Sequence, residues 1–109
     1  FEIRLPDGAV NPYLLQSVII AAGLSGINKS ADPGKRQDID MYQDGHLVKD
    51  APKLPLNLLD ALRNFDKDTE LKEALGMEFS DSYIKMKMKE WNSYVSHLTQ
   101  WERAHTLDI

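Results

Sequence analysis

FEIRLPDGAVNPY, residues 1–13, is the stretch from which the rest of the chain is read. Phe1-Glu2-Ile3-Arg4-Leu5 alternates apolar and charged side chains, the two-residue period of a half-buried strand. Pro6-Asp7-Gly8 supplies the turn chemistry that ends it. Asn11-Pro12 then starts a helix, because the Asn side chain caps free amides and proline is preset for the first helical position. A lone strand leaves its backbone donors and acceptors unmatched, so its partners lie upstream, in a second chain, or nowhere. Together with a first residue other than methionine, this makes the chain a fragment by expectation.

The helix opened by Asn11 is expected to run to about Gly26. Tyr13, Leu14, Leu15, Val18, Ile19, Ile20, Ala21, Ala22 and Leu24 leave it almost no polar face, which predicts burial on most sides. Within 109 residues there is little to bury it with, so the excess apolar surface points to a larger body or an oligomer interface. From Asn28 to Pro55 periodicity disappears, and Asp32-Pro33-Gly34, Asp44-Gly45 and Ala51-Pro52 punctuate a long loop expected to wrap over another surface.

Pro55 is expected to open a helix with Leu58, Leu59 and Leu62 on one face, ending near Phe65. Asp68 caps a short helix through Leu75 that Gly76 stops, which completes a helical hairpin. Ser80 is then expected to cap one long amphipathic helix in which Ile84, Met88, Trp91, Val95 and Leu98 form a stripe flanked by Tyr94 and Trp101. Lys85 to Lys89 alternates like a strand, but methionine and lysine are good helix formers and no turn bounds them, so helix is predicted. The expected fold is mainly α, one N-terminal strand and about four helices, and no internal repeat or low-complexity tract is present.

Composition excludes several functions. Hydrophobic residues at 42% and charged residues at 28% are ordinary for a globular domain. A net charge of -4 argues against a nucleic-acid partner. The absence of cysteine removes disulfides and thiolate metal sites and fits the cytoplasm. No apolar run reaches the roughly 18 residues of a membrane span, and no leader pattern is present.

Candidate chemistry is sparse. A strand would put Glu2 and Arg4 on one face ~6.7 Å apart, at about 3.3 to 3.4 Å per residue, far for a direct salt bridge but suited to a carboxylate and a guanidinium converging on one ligand. On pattern alone a solvated strand face is the better reading. His46, His97 and His105 lack zinc-type spacing and read as surface residues, and Asp38 and Asp40 read as solvent-facing or capping. Lys85 and Lys89 sit on a solvated helix face, and Trp91, Tyr94 and Trp101 read as core or interface. No phosphate loop, nucleophile elbow or metalloprotease helix occurs, so residue chemistry by itself assigns no enzyme class.

A resemblance adds more. FEIRLPDGAVNPY, the Ala-Ala-Gly-Leu-Ser-Gly-Ile segment at Ala21 to Ile27, and Asp32-Pro33-Gly34 resemble, in order and spacing, the C-terminal part of the glutamine synthetase catalytic domain. The likeness extends through Leu54-Pro55 and Leu58 to Leu62, and residues 1–109 are taken as one segment of that α+β domain. It implies that Glu2 is a metal ligand for Mg2+ or Mn2+ and that Arg4 contacts substrate glutamate and the transferring phosphoryl group. The implied parent is an ATP-dependent ligase of nitrogen metabolism. It would phosphorylate the γ-carboxylate of glutamate and let ammonia, or a small amine such as methylamine, displace phosphate, in a cytoplasmic homo-oligomeric ring. The family's other metal-binding glutamates and histidine, its phosphate-binding arginines, its flap glutamate and the groups that deprotonate the amine would precede Phe1. The chain alone is therefore expected to be inactive. The ending from His97 through Trp101-Glu102 to Ile109 departs from the usual one and suggests a divergent branch.

A reading of another class stays open, a non-enzymatic helical interaction module whose strand augments a partner's sheet and whose last helix offers Trp91 and Trp101 as anchors.

Overall fold

A computed structural model describes residues 2–106; Phe1, the first residue of the expected strand, and residues 107–109 of the divergent ending lie outside the described residues. The chain divides at Leu54–Pro55 into two compact units.

In the first unit, residues 2–5 form no strand, and no strand occurs among the described residues. The alternation is present, but a strand is a pairing and no ladder partner lies within reach, so the expected strand is not formed. The turn after it is formed. The Asp7 carboxylate accepts from the Ala9 amide at 2.7 Å, and the Val10 amide donates to the Asp7 carbonyl at 3.2 Å.

Helix α1, Pro12–Asn28, begins where expected. The Asn11 side chain accepts from the Tyr13 and Leu14 amides at 3.0 and 3.2 Å, satisfying donors that the first turn leaves free. The helix passes Gly26 and closes two residues later. Ala31 N–H donates to the Gly26 carbonyl and Ser30 N–H to that of Ile27, the paired bonds of a Schellman cap. Such a cap needs a left-handed residue, and Ser30 takes it with φ 49°.

The expected burial of α1 is not met within the unit, because no other helix packs there to cover it. None of its residues is buried, and Tyr13, Ile20, Leu24 and Ile27 stand in solvent. The loop that follows is broken by one 3-10 turn, Gly45–Leu47. Side-chain turns hold it locally: Asp32 accepts from Gly34 N–H at 2.8 Å, and Asp40 from Tyr42 N–H at 2.9 Å.

The second unit contains α2, Leu58–Lys67, α3, Thr69–Leu75, α4, Met77–Val95, and α5, Gln100–Thr106. Helix α2 starts three residues after Pro55, because Asn57 is the side chain that caps it, accepting from the Asp60 amide at 2.9 Å. Asp68 caps α3 through the Leu71 amide at 3.0 Å and Gly76 ends it, both as expected. Helices α2, α3 and α4 pack on one another. Their core holds Leu62, with half-buried Phe65 edge-on to Tyr83 at 6.4 Å, and at its edge the exposed Phe79 stacks on Tyr83 at 6.0 Å.

Two polar residues complete that core. Lys72 is buried along its stem, and its ammonium reaches Asp66 at 3.1 Å and Asp81 at 3.0 Å. The hydrogen bond to Asp81, then that to Asp66, raises its pKa above the ordinary lysine value of 10.5. Ser80, with 0% exposure, donates its hydroxyl to the Lys72 carbonyl at 3.2 Å.

The expected single long helix is two helices. Ser80 lies inside α4, four residues after the capping Gly76, and its hydroxyl satisfies a carbonyl of α3 instead of opening a helix. Ile84, Met88 and Trp91 of the predicted stripe are half-buried, whereas Val95 and Leu98 are exposed. After Val95 the chain turns, and Thr99 and Glu102 start α5 by bonding reciprocally. Thr99 N–H and its hydroxyl donate to the Glu102 carboxylate at 2.8 and 2.7 Å, and Glu102 N–H donates to the Thr99 hydroxyl at 3.1 Å. The bond from the Thr99 amide, then that from its hydroxyl, holds the Glu102 carboxyl below its ordinary value. Lys85 to Lys89 is helical, as predicted.

Candidate functional site

Glu2 and Arg4 meet directly: Arg4 Nε donates to Glu2 Oε1 at 2.6 Å. The expectation of a gap too wide for a salt bridge is corrected here. A separation of ~6.7 Å along an ideal strand concerns the backbone, and two long side chains leaning toward each other close it. The pair is solvated, with 85% of the Arg4 and 70% of the Glu2 side chain exposed, so it holds its geometry weakly, at about 0 to 1 kcal/mol. Behind it the chain is anchored by the Asp7 turn and the Asn11 cap, which fix the path from Leu5 into α1.

Whether these residues suit a divalent cation depends on the donor set. A carboxylate is the hard oxygen ligand that Mg2+ or Mn2+ takes, and Mg2+ commonly uses one or two carboxylates with water and substrate phosphates completing its shell. Glu2 fits as one such ligand. Among the described residues no group of three or more His, Cys, Asp and Glu side chains could hold a metal ion. Arg4 offers an exposed guanidinium, a group suited to carboxylate and phosphate oxygens.

The other candidates are placed elsewhere. His46 Nδ1 lies 3.1 Å from the Gln43 carbonyl and His105 Nδ1 2.8 Å from that of Trp101, each a local contact. Asp40 caps its turn, as read from the sequence, and Asp38 pairs with Arg36 at 2.6 Å. Trp91 lies half-buried against Tyr94, ring centroids 5.8 Å apart, while Trp101 stacks on His105 at 4.6 Å on α5. The two tryptophans therefore sit on different helices, not on one face.

Sequence reasoning missed a concavity of about 700 Å3 in the loop of the first unit, lined by Lys35, Lys49 and Asp50 together with Ile39, Leu47 and Val48. Its only sequence signal is the punctuation at Pro33-Gly34 and Ala51-Pro52, which bounds the two segments that face each other. No helix among the described residues is long and apolar enough to cross a membrane.

Residues 1–106 match the family described as glutamine synthetase, catalytic domain. A glutamine synthetase of Rhizobium leguminosarum bv. phaseoli is 72% identical over the whole of this chain, which covers 25% of that protein. A glutamate–methylamine ligase of Methyloversatilis universalis is 38% identical over 93% of the chain and 23% of its own length. A solved structure described as a GmaS/ADP complex superposes with a TM-score of 0.90 at 54% identity, covering 98% of this chain and 24% of that one. The chain thus spans about a quarter of the length of the curated relatives it matches. The strand-like Glu-X-Arg segment, the turn and the capped α1 lie, with everything else through Thr106, inside that match: this chain belongs to the glutamine synthetase catalytic-domain family.

Proposed function

We propose that this chain is part of an ATP-dependent glutamate–ammonia ligase and supplies one wall of its active site. The observation that carries the reading is the 72% identity, across all 109 residues, to a protein named glutamine synthetase. In this reading ATP phosphorylates the γ-carboxylate of glutamate, ADP departs, and ammonia attacks the acyl carbon. Phosphate then leaves, and the nitrogen loses a proton to a group outside this chain.

Arg4 binds anionic oxygens, contacting the substrate carboxylate and spreading the charge on the transferring phosphoryl group. Glu2 contributes one carboxylate oxygen to a divalent cation, and that cation supplies charge neutralisation at the phosphates when bound. The name of the solved neighbour, a complex with ADP, supports nucleotide use. The apolar side chains exposed on α1 support its packing in a larger body, which we take to be a cytoplasmic homo-oligomeric ring.

A second reading replaces ammonia with a small amine. It is favoured by the glutamate–methylamine ligase that matches 93% of the chain. Nothing in Glu2 or Arg4 distinguishes the two acceptors, since both act on glutamate and phosphate oxygens.

One assay tests both readings. The full-length protein is incubated with ATP, glutamate and Mg2+, with ammonium or methylamine, and ADP and amide products are quantified by mass spectrometry. Faster turnover with ammonium supports the first reading and faster turnover with methylamine the second. No amide with either amine overturns both.

A further inference from the structure

We infer that the Glu2–Arg4 ion pair is a latch, in which each side chain occupies the other until ligands arrive, so that cation binding at Glu2 and anion binding at Arg4 promote one another. This rests on the proposed reading that both residues belong to the ligase site.

The geometry motivates it. Arg4 Nε donates to Glu2 Oε1 at 2.6 Å, so the side edge of the guanidinium is committed to an internal carboxylate. An incoming anion meets a guanidinium already neutralised, and an incoming cation meets a carboxylate already neutralised. Removing either partner from the pair frees the other. Such coupling is reciprocal by necessity, because the free energy released in opening the pair is the same whichever ligand opens it. In the described chain 85% of the Arg4 and 70% of the Glu2 side chain is exposed, and for a pair this solvated the coupling is up to about fivefold in affinity.

The chain is pinned from Asp7 onward by the turn and the Asn11 cap. The two side chains can swap partners without disturbing α1.

The test uses the full-length protein and binding, not turnover. Glutamate affinity is measured by calorimetry with and without Mg2+, and Mn2+ affinity by electron paramagnetic resonance without glutamate. Thermal melting checks that each variant is folded. Glu2→Gln is expected to bind glutamate up to about fivefold more tightly than wild type in the absence of cation, and Mg2+ is expected to tighten glutamate binding in wild type only. Arg4→Gln reads the reciprocal arm and is expected to bind Mn2+ more tightly. Asp7→Asn removes a nearby negative charge without touching the pair and is expected to change neither affinity. Glutamate binding by Glu2→Gln that is no tighter than wild type, or that Asp7→Asn reproduces, overturns the latch alone. If Glu2→Gln and Arg4→Gln both leave glutamate and Mn2+ binding at wild-type values, the site assignment fails with it.

Discussion

The Ser80 hydroxyl donates to the Lys72 carbonyl at 3.2 Å, and neither residue is exposed. That carbonyl is among the last four of α3, which have no partner within their own helix, so α4 supplies the missing donor from inside the core. Ser80→Ala leaves a buried acceptor unsatisfied and is expected to cost about 1 to 3 kcal/mol, read from urea unfolding of the full-length protein against wild type. A midpoint unchanged within error would show that water replaces the hydroxyl.

Lys72 gives a pH dependence. Its pKa is raised in the folded state, first by the hydrogen bond to Asp81, so its contribution is fully present below the unfolded value near 10.5 and is lost as pH rises through the folded value. Stability is expected to fall in alkali above pH 10.5, and to fall less in Lys72→Met, where no proton is lost. Parallel pH profiles for the two proteins would assign the alkaline loss to other groups.

Helix α5 has the opposite sign. Glu102 is held below its ordinary value of 4.5 by the Thr99 bonds, so the cap is intact above 4.5 and fails as pH falls through the lowered value. Seven residues are too few to persist alone, where isolated helices need about 12 to 15. Thr99→Ala is expected to cost about 1 kcal/mol of local helix stability, visible as faster amide exchange at Trp101 to Thr106 with α4 unchanged.

Two backbone positions respond in opposite directions. Gly76 has φ 94° and ψ 123°, and nothing lies within 4 Å of a Cβ built on it, so Gly76→Ala carries a purely conformational penalty of about 1 to 3 kcal/mol. Ser30 occupies the left-handed region at φ 49°, and Ser30→Gly is expected to stabilise by about 0.5 to 1 kcal/mol. Thermal melting of both variants decides the signs.

The chain of 109 residues on its own is expected to form no amide from ATP, glutamate and ammonium, since Glu2 is the single carboxylate assigned to a cation. Turnover above background by the purified chain would mean that further ligands lie within it.

What the sequence disclosed and withheld divides along physical lines. Asn11, Asp68 and Gly76 were legible because caps and stops act through their own neighbours. The start of α4 was misplaced because Ser80 is a cap by type but a core residue by position. The break before α5 was missed although Thr99-X-X-Glu102 carries the signature of a reciprocal cap, since the apolar stripe through Leu98 outweighed it. Glu2 and Arg4 were singled out only by resemblance to a family motif, while their direct contact depends on side-chain reach that a two-residue period does not encode. The strand is not seen among the described residues because alternation prescribes a face, whereas pairing requires a second chain segment.

Gly76 alone joins α3 to α4, so the connection has no slack. One residue inserted there would turn α4 by about 100°, taking Ser80 off the Lys72 carbonyl and Asp81 off the ammonium together. Length at this joint is thus fixed by the core as firmly as any side chain. The segment between α1 and α2, held by short local turns, is where insertions and deletions can accumulate without cost to the helical core.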